Sequence, residues 1–404
     1  MIETYTLRNG VRVVLEKVPH VRSVSIGIWI LTGSRNEREE NNGVSHFLEH
    51  MFFKGTKNRT AQEIAEAFDA IGGHVNAFTA KEYTCYYARV LDSYKRYALE
   101  VLSDMFFNST FPEDELEREK KVITEEIKMY EDTPDDHVHH LLSKAMYGNH
   151  PLGRSILGSE THVSNMTRES LLEYMNDYYI PENIVISVAG NVDESFIKDI
   201  EDLFLPLERK GKSHATITPS YEFDTIIYEK EIEQAHLCIG YPGLAANDDL
   251  LVSLAIINST LGNGMSSRLF QEVREKRGLA YSVFSYHNAY VDNGMLGLYA
   301  GTTNEQLPQL RKAIDETITK LYEESLTETE LTNKKEQLKG NILLSLENTS
   351  SRMSRNGRNE LLLQRHKSQD DIIKEIDEVD LQMIRKTLDH IFSGKRAEAV
   401  IKPA

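Results

Sequence analysis

Apolar and polar positions along the first third of the chain switch between two periods. Residues 4–18 read as two short strands about Asn9-Gly10, a hairpin turn pair. Residues 23–31 (SVSIGIWIL) form a third strand, apolar on both faces toward its end. A short apolar stretch around residues 46–50 follows, preceded by Gly43 and Ser45, and reads as a helix. Thr60-Ala-Gln-Glu63 is a capping box whose helix stops at the Gly72-Gly73 pair. Residues 74–79 and 83–90 alternate as a strand pair. A helix over 94–107 comes next, and Pro112 opens a long charged helix that runs past Glu126.

The second half repeats this order. Residues 236–241 predict a strand, 248–261 a helix, 280–289 and 295–302 two strands, and 305–323 and 327–346 two helices. Phe111-Pro-Glu-Asp-Glu-Leu116 lines up with Leu326-Thr-Glu-Thr-Glu-Leu331 at an offset of 215. Carried along the chain, that offset sets Lys334 on Glu119, Asn341 on Glu126, and Leu261 and Met265 on His46 and His50. The Pro-, Gly-, Ser- and Lys-rich segment 205–223 is the expected boundary, giving domains 1–210 and 211–404. A length of 404 residues agrees with more than one core.

The candidate chemistry lies in His46-Phe47-Leu48-Glu49-His50. Residues four apart on a helix share a face, so His46 and His50 can reach one metal ion. Glu49 sits on nearly the same face, where it can act as a base without being a ligand. This is the inverted form of the His-Glu-x-x-His zinc helix. A catalytic zinc site wants a third protein ligand. The helix after Pro112 offers Glu113, Glu115, Glu117, Glu119, Glu125 and Glu126, and the pattern does not choose among them. Glu119 and Glu126 share a face beside Val122, Ile123 and Ile127, which mark the expected buried stripe. His137, His139 and His140 suit no single helix face and read as a solvated helix start.

Composition narrows the function. Apolar residues at 40% and charged residues at 27% are ordinary for a soluble globular protein. A formal net charge of −17 argues against a nucleic-acid partner, whose phosphates demand clustered Lys and Arg, and is compatible with basic peptides. Cys85 and Cys238 form neither a disulfide framework nor a Cys-x-x-Cys pair. No apolar run suits a membrane span, and residues 1–7 lack the basic start and apolar core of a signal peptide. The expected compartment is the cytoplasm.

His46-Phe-Leu-Glu-His50, followed by Val122-Ile-Thr-Glu-Glu126, resembles the pitrilysin and mitochondrial processing peptidase family over essentially the whole chain, at the length of its half-size bacterial branch. The resemblance implies two homologous α+β domains, each a mostly antiparallel sheet with helices packed on one face. It implies one Zn2+ per chain on His46, His50 and Glu126, with Glu49 as catalytic base and Glu119 as a supporting catalytic carboxylate. Gly72-Gly-His-Val-Asn76-Ala77-Phe78-Thr79 resembles the family's substrate strand, which implies backbone binding at Asn76 and Ala77. Residues 265–281 resemble the stretch carrying an Arg and a Tyr seven apart, which Arg274 and Tyr281 match. The implied function is zinc-dependent endopeptidase cleavage of unfolded or presequence-like peptides. Family clamshells enclose a chamber with four such domains, so two domains imply a homodimer whose site is completed in trans by Arg274 and Tyr281. The alternative is a non-catalytic substrate-binding or scaffold subunit. Such subunits carry broken metal motifs, whereas every expected position is filled here.

Overall fold

The computed structural model of the chain describes residues 2–207, 211 and 216–404. It contains two compact units, Met1–Lys128 with Ser155–Thr216 and Leu344–Ser368, and Met129–Arg154 with Ile217–Leu343 and Gln369–Ala404. The expected division at 210/211 lies beside residues 208–210 and 212–215, which are outside the described residues. Each unit also includes a segment from the other half of the sequence.

The first half supplies strands β1 (Ile2–Thr6), β2 (Arg12–Lys17), β3 (Ser23–Ile30), β4 (His74–Thr79), β5 (Thr84–Leu91) and β6 (Ile184–Gly190). Its helices are α1 (Val44–Met51), α2 (Ala61–Asp69), α3 (Lys95–Asn108), α4 (Glu113–Glu131), α5 (Pro134–Tyr147), α6 (Glu160–Asn165), α7 (Arg168–Tyr178) and α8 (Ser195–Phe204). The strands form one sheet in the order β1-β2-β6-β3-β5-β4, antiparallel except for the β2–β6 pair. Strand β4 ends the sheet and, among the described residues, pairs only with β5.

Period-two alternation explains how this sheet is covered. Val24, Ile26, Ile28 and Ile30 of β3 join a core with Phe47 and Leu48 of α1, Leu99 and Leu102 of α3, and Phe196 of α8. Trp29 points the other way. It joins Val14, Cys85, Val185 and Ala189 beneath Met353 and Leu361.

The second half supplies β7 (Thr225–Lys230), β8 (Gln234–Pro242), β9 (Ser282–Ala289), β10 (Gly294–Thr303) and β11 (Ala397–Pro403). Its helices are α9 (Leu251–Leu261), α10 (Leu307–Glu324), α11 (Glu328–Ser345), α12 (Thr349–Leu363), α13 (Gln369–Glu378) and α14 (Leu381–Phe392). Its sheet runs β7-β11-β8-β10-β9, antiparallel except for β7–β11. Helices α9, α10 and α14 pack on one face through Leu254, Ile257, Leu310, Ile314, Ile384 and Leu388.

Both sheets are mostly antiparallel, as the resemblance implies. Packing on one face needs a correction. Helix α12 covers the second face of the first sheet, and α5 lays Val138, Leu142 and Met146 on the second face of the other. The histidines at the start of α5 are therefore not a solvated helix start: His137 is buried, and His139 Nδ1 lies 2.7 Å from the Tyr286 hydroxyl.

The duplication also needs adjusting. Helix α11 begins 215 residues after α4, as the offset requires. Thirteen residues separate β3 from α1 but only eight separate β8 from α9, so the offset does not carry to the metal helix. Leu261 is the last residue of α9, and Met265 lies beyond it on an exposed turn.

Candidate metal centre

Helix α1 is held at both ends of its chemistry. Val44, Phe47, Leu48 and Met51 are fully buried in the first core. That packing fixes the rotation of the helix and leaves His46, Glu49 and His50 on the remaining arc. Its N-terminus has no side-chain cap of its own, because Gly43 stands at that position with φ of 95°. The carboxylate of Glu37 replaces the cap. It accepts from the backbone N–H of Gly43 (2.8 Å) and of Ser45 (2.9 Å), and from Asn42 Nδ2 (2.8 Å). Burial pushes the Glu37 pKa up while these donors oppose the rise.

The Nε2 atoms of His46 and His50 lie 3.3 Å apart. Across from them, Glu126 on α4 brings Oε1 to 3.7 Å from His46 Nε2 and Oε2 to 3.6 Å from His50 Nε2. One donor atom of each residue lies within 4.8 Å of the other two, and no other such group of three occurs among the described residues. Zinc bonds of about 2.0–2.2 Å in a tetrahedron hold ligand atoms about 3.3–3.6 Å apart, so this donor set fits a zinc ion. Burial drives the His46 imidazole down to about 3, which keeps it neutral, the form that binds metal.

The opposite nitrogen of His50 is fixed as well. His50 Nδ1 pairs with Glu119 Oε1 at 2.7 Å, and Lys54 Nζ donates to Glu119 Oε2 at 2.6 Å. Burial alone would raise the Glu119 pKa, but hydrogen bonds from His50 and Lys54 outweigh it and hold the carboxylate below its ordinary range. Glu49 behaves in the opposite way: its burial dominates and raises its pKa, against a hydrogen bond from Thr79. A half-buried carboxylate with raised proton affinity is suited to taking up and returning a proton near neutral pH.

The structure thus brings His46, His50, Glu126, Glu49 and Glu119 together in the first unit. The substrate-strand candidates lie on edge strand β4, where Asn76 is exposed and Ala77 is buried. Arg274 and Tyr281 meet in the second unit. The Arg274 guanidinium stacks between Phe270, at 4.7 Å, and Tyr281, at 4.5 Å, and the Tyr281 side chain is 81% exposed. Phe270–Glu275 is a turn of π-helix, a form often found at functional sites. Arg277 pairs instead with Glu316 at 2.7 Å.

Sequence reading missed Glu37, Lys54, Thr79 and Phe270. Lys54 follows His50 by four residues, a spacing that could have placed it near the same face. Thr79 and Phe270 carry no comparable signal.

Residues 12–160 match the family model "Insulinase (Peptidase family M16)", and residues 165–338 match "Peptidase M16 inactive domain". A Bacillus subtilis protein named uncharacterized zinc protease YmxG is 56% identical over 404 residues, covering 100% of this chain and 99% of the relative. The chain belongs to peptidase family M16. A Streptomyces coelicolor protein, also named an uncharacterized zinc protease, is 40% identical to this M16 chain over 98% of it and 89% of its own length. The M16 fold is shared with the crystal structure of a protease from Helicobacter pylori, at a TM-score of 0.92 and 24% identity, covering 100% of this chain and 99% of that one. A Pseudomonas fluorescens structure described as a peptidase M16 inactive domain superposes at a TM-score of 0.94 with 20% identity, covering 100% and 98%. The M16 model named inactive covers most of the second unit, where the described residues hold no metal-binding group of three. No helix among the described residues is long and apolar enough to cross a membrane.

Proposed function

We propose that this M16 chain is a zinc-dependent endopeptidase that takes one zinc ion on His46, His50 and Glu126 and cleaves unfolded peptides. The observation that carries this reading is the convergence of those three side chains beside a half-buried Glu49. The zinc-protease names of its relatives support it. Bound zinc supplies Lewis acidity, polarising the scissile carbonyl and lowering the pKa of water toward neutrality.

The chain's own residues do the rest. Glu49 takes the proton of the attacking water and returns it to the leaving amine nitrogen. Glu119 orients His50 through Nδ1, and Lys54 holds Glu119. The open edge of β4 can pair with an extended substrate, so Asn76 and Ala77 fix its backbone while pockets read alternate side chains. Arg274 and Tyr281 donate to the substrate backbone and to the developing oxyanion. The acidity of the chain favours basic or presequence-like peptides.

The working form is a homodimer in the cytoplasm, in which Arg274 and Tyr281 of one protomer serve the zinc of its partner. Removing zinc with a chelator should abolish hydrolysis of an unstructured basic peptide, and adding zinc back should restore it. Mixing inactive His50→Ala and Tyr281→Phe chains should recover part of the activity. A mixed dimer that forms and stays inactive would overturn sharing in trans.

A further inference from the structure

Glu49 has a single hydrogen-bond partner among the described residues. Thr79 Oγ1 donates to Glu49 Oε2 at 2.5 Å. Two buried hydroxyls nearby are engaged with each other: those of Tyr86 and Tyr179 lie 3.1 Å apart. The second carboxylate oxygen, Oε1, has no partner among the described residues.

Thr79 is itself fixed by backbone rather than by a flexible side chain. It is the last residue of β4 and stands opposite Thr84 of β5. The turn beyond it is closed by the Ala80 N–H donating to the Tyr83 carbonyl at 2.8 Å. The Thr84 hydroxyl ties the neighbouring strand down by donating to the Thr32 carbonyl at 2.9 Å. Threonine adds to this, since its β-branched side chain has few χ1 choices.

We infer that Thr79 is the positioning residue of the catalytic base: it anchors one oxygen of Glu49 and leaves the other to carry the proton. The inference rests on the peptidase reading. It ties two parts of the site together, because the strand that offers its edge to the peptide also sets the carboxylate that acts on the scissile bond. Without the hydroxyl the carboxylate keeps its chemistry but loses its aim. A misplacement of about 1 Å at a reacting group can cost on the order of 100-fold in rate.

The test compares wild type, Thr79→Val, Thr79→Ser and Glu49→Gln on one unstructured basic peptide, with zinc content measured for each. Thr79→Val keeps the shape of the side chain and removes the donor. The expected result is full zinc, a kcat lowered by about 10- to 100-fold, and a KM changed by less than about twofold. Thr79→Ser should recover most of the kcat. A purely structural role would lower stability and zinc content without this split and without rescue by serine. Should Thr79→Val lose zinc, Thr79→Ala is read the same way, and loss of zinc from both variants would overturn the inference. Active wild type with an unchanged kcat in Thr79→Val also overturns it, while leaving the peptidase reading intact. Zinc-loaded wild type without hydrolysis overturns that reading, and the role of Thr79 with it.

Discussion

Glu119 holds the nitrogen of His50 that points away from the metal position: Oε1 lies 2.7 Å from Nδ1, while Nε2 faces Glu126 at 3.6 Å. A carboxylate in that place fixes the tautomer and raises the basicity of the ligand. Glu119→Gln should therefore weaken zinc binding by about 10- to 100-fold while leaving the fold intact. Competition with a chromophoric chelator measures this. Unchanged affinity would reduce Glu119 to a partner of Lys54.

The cap on α1 makes a separate prediction about stability. Glu37 satisfies two backbone amides and the Asn42 side chain from a fully buried position. Glu37→Ala leaves those donors without their acceptor and should cost about 2–4 kcal/mol. Urea unfolding of the first unit reports it, and a loss below about 0.5 kcal/mol would contradict the capping role.

Helix α12 can be followed through the chain's single tryptophan. Trp29 Nε1 lies 3.3 Å from Met353 Sδ, and a Cβ built on Gly357 would stand 2.3 Å from Trp29 Nε1. Gly357→Ala should shift Trp29 emission to longer wavelength and cost about 1–3 kcal/mol through overpacking. Unaltered emission and stability would mean that α12 does not rest on Trp29.

Acid should weaken the second unit before carboxylates titrate. Burial lowers the pKa of His139 and His236, against Asp135 near both and Asp136 near His139. Their Nδ1 atoms meet the hydroxyls of Tyr286 at 2.7 Å and Tyr299 at 2.9 Å. A folded-state pKa below the ordinary value of about 6.5 means the unfolded chain takes up the protons first. The stability from neutral His139 and His236 is complete above pH ~6.5 and falls as the pH drops toward the folded-state values. Thermal unfolding followed from pH 7.5 to 5 should show the midpoint falling from about 6.5 downward, and a flat profile would contradict this.

Much of this architecture was legible because its signals are local. Asn9-Gly10 marked the β1–β2 turn, Thr60 with Glu63 capped α2, and the spacing of His46, Glu49 and His50 set them on one helix. Glu126 was different. The six candidate glutamates of that helix have similar local surroundings in sequence, and only the family resemblance singled it out. Val122 was expected on the buried stripe of α4, yet its side chain is half exposed while Leu116, Glu119, Ile123 and Ile127 are buried. The exchange of α5 and α12 was not legible either, because an amphipathic helix records that it has a buried face and not which sheet covers it. The same limit applied to Thr79, whose partner lies 30 residues earlier on another element.

In the proposed mechanism Glu49 performs proton transfer at a zinc centre held by His46, His50 and Glu126. Its most direct test is hydrolysis of an unstructured basic peptide by wild type and Glu49→Gln, with zinc measured in both. Equal zinc and a loss of turnover of about 1,000-fold or more in Glu49→Gln alone are expected. Equal turnover in the two proteins at equal zinc would contradict it.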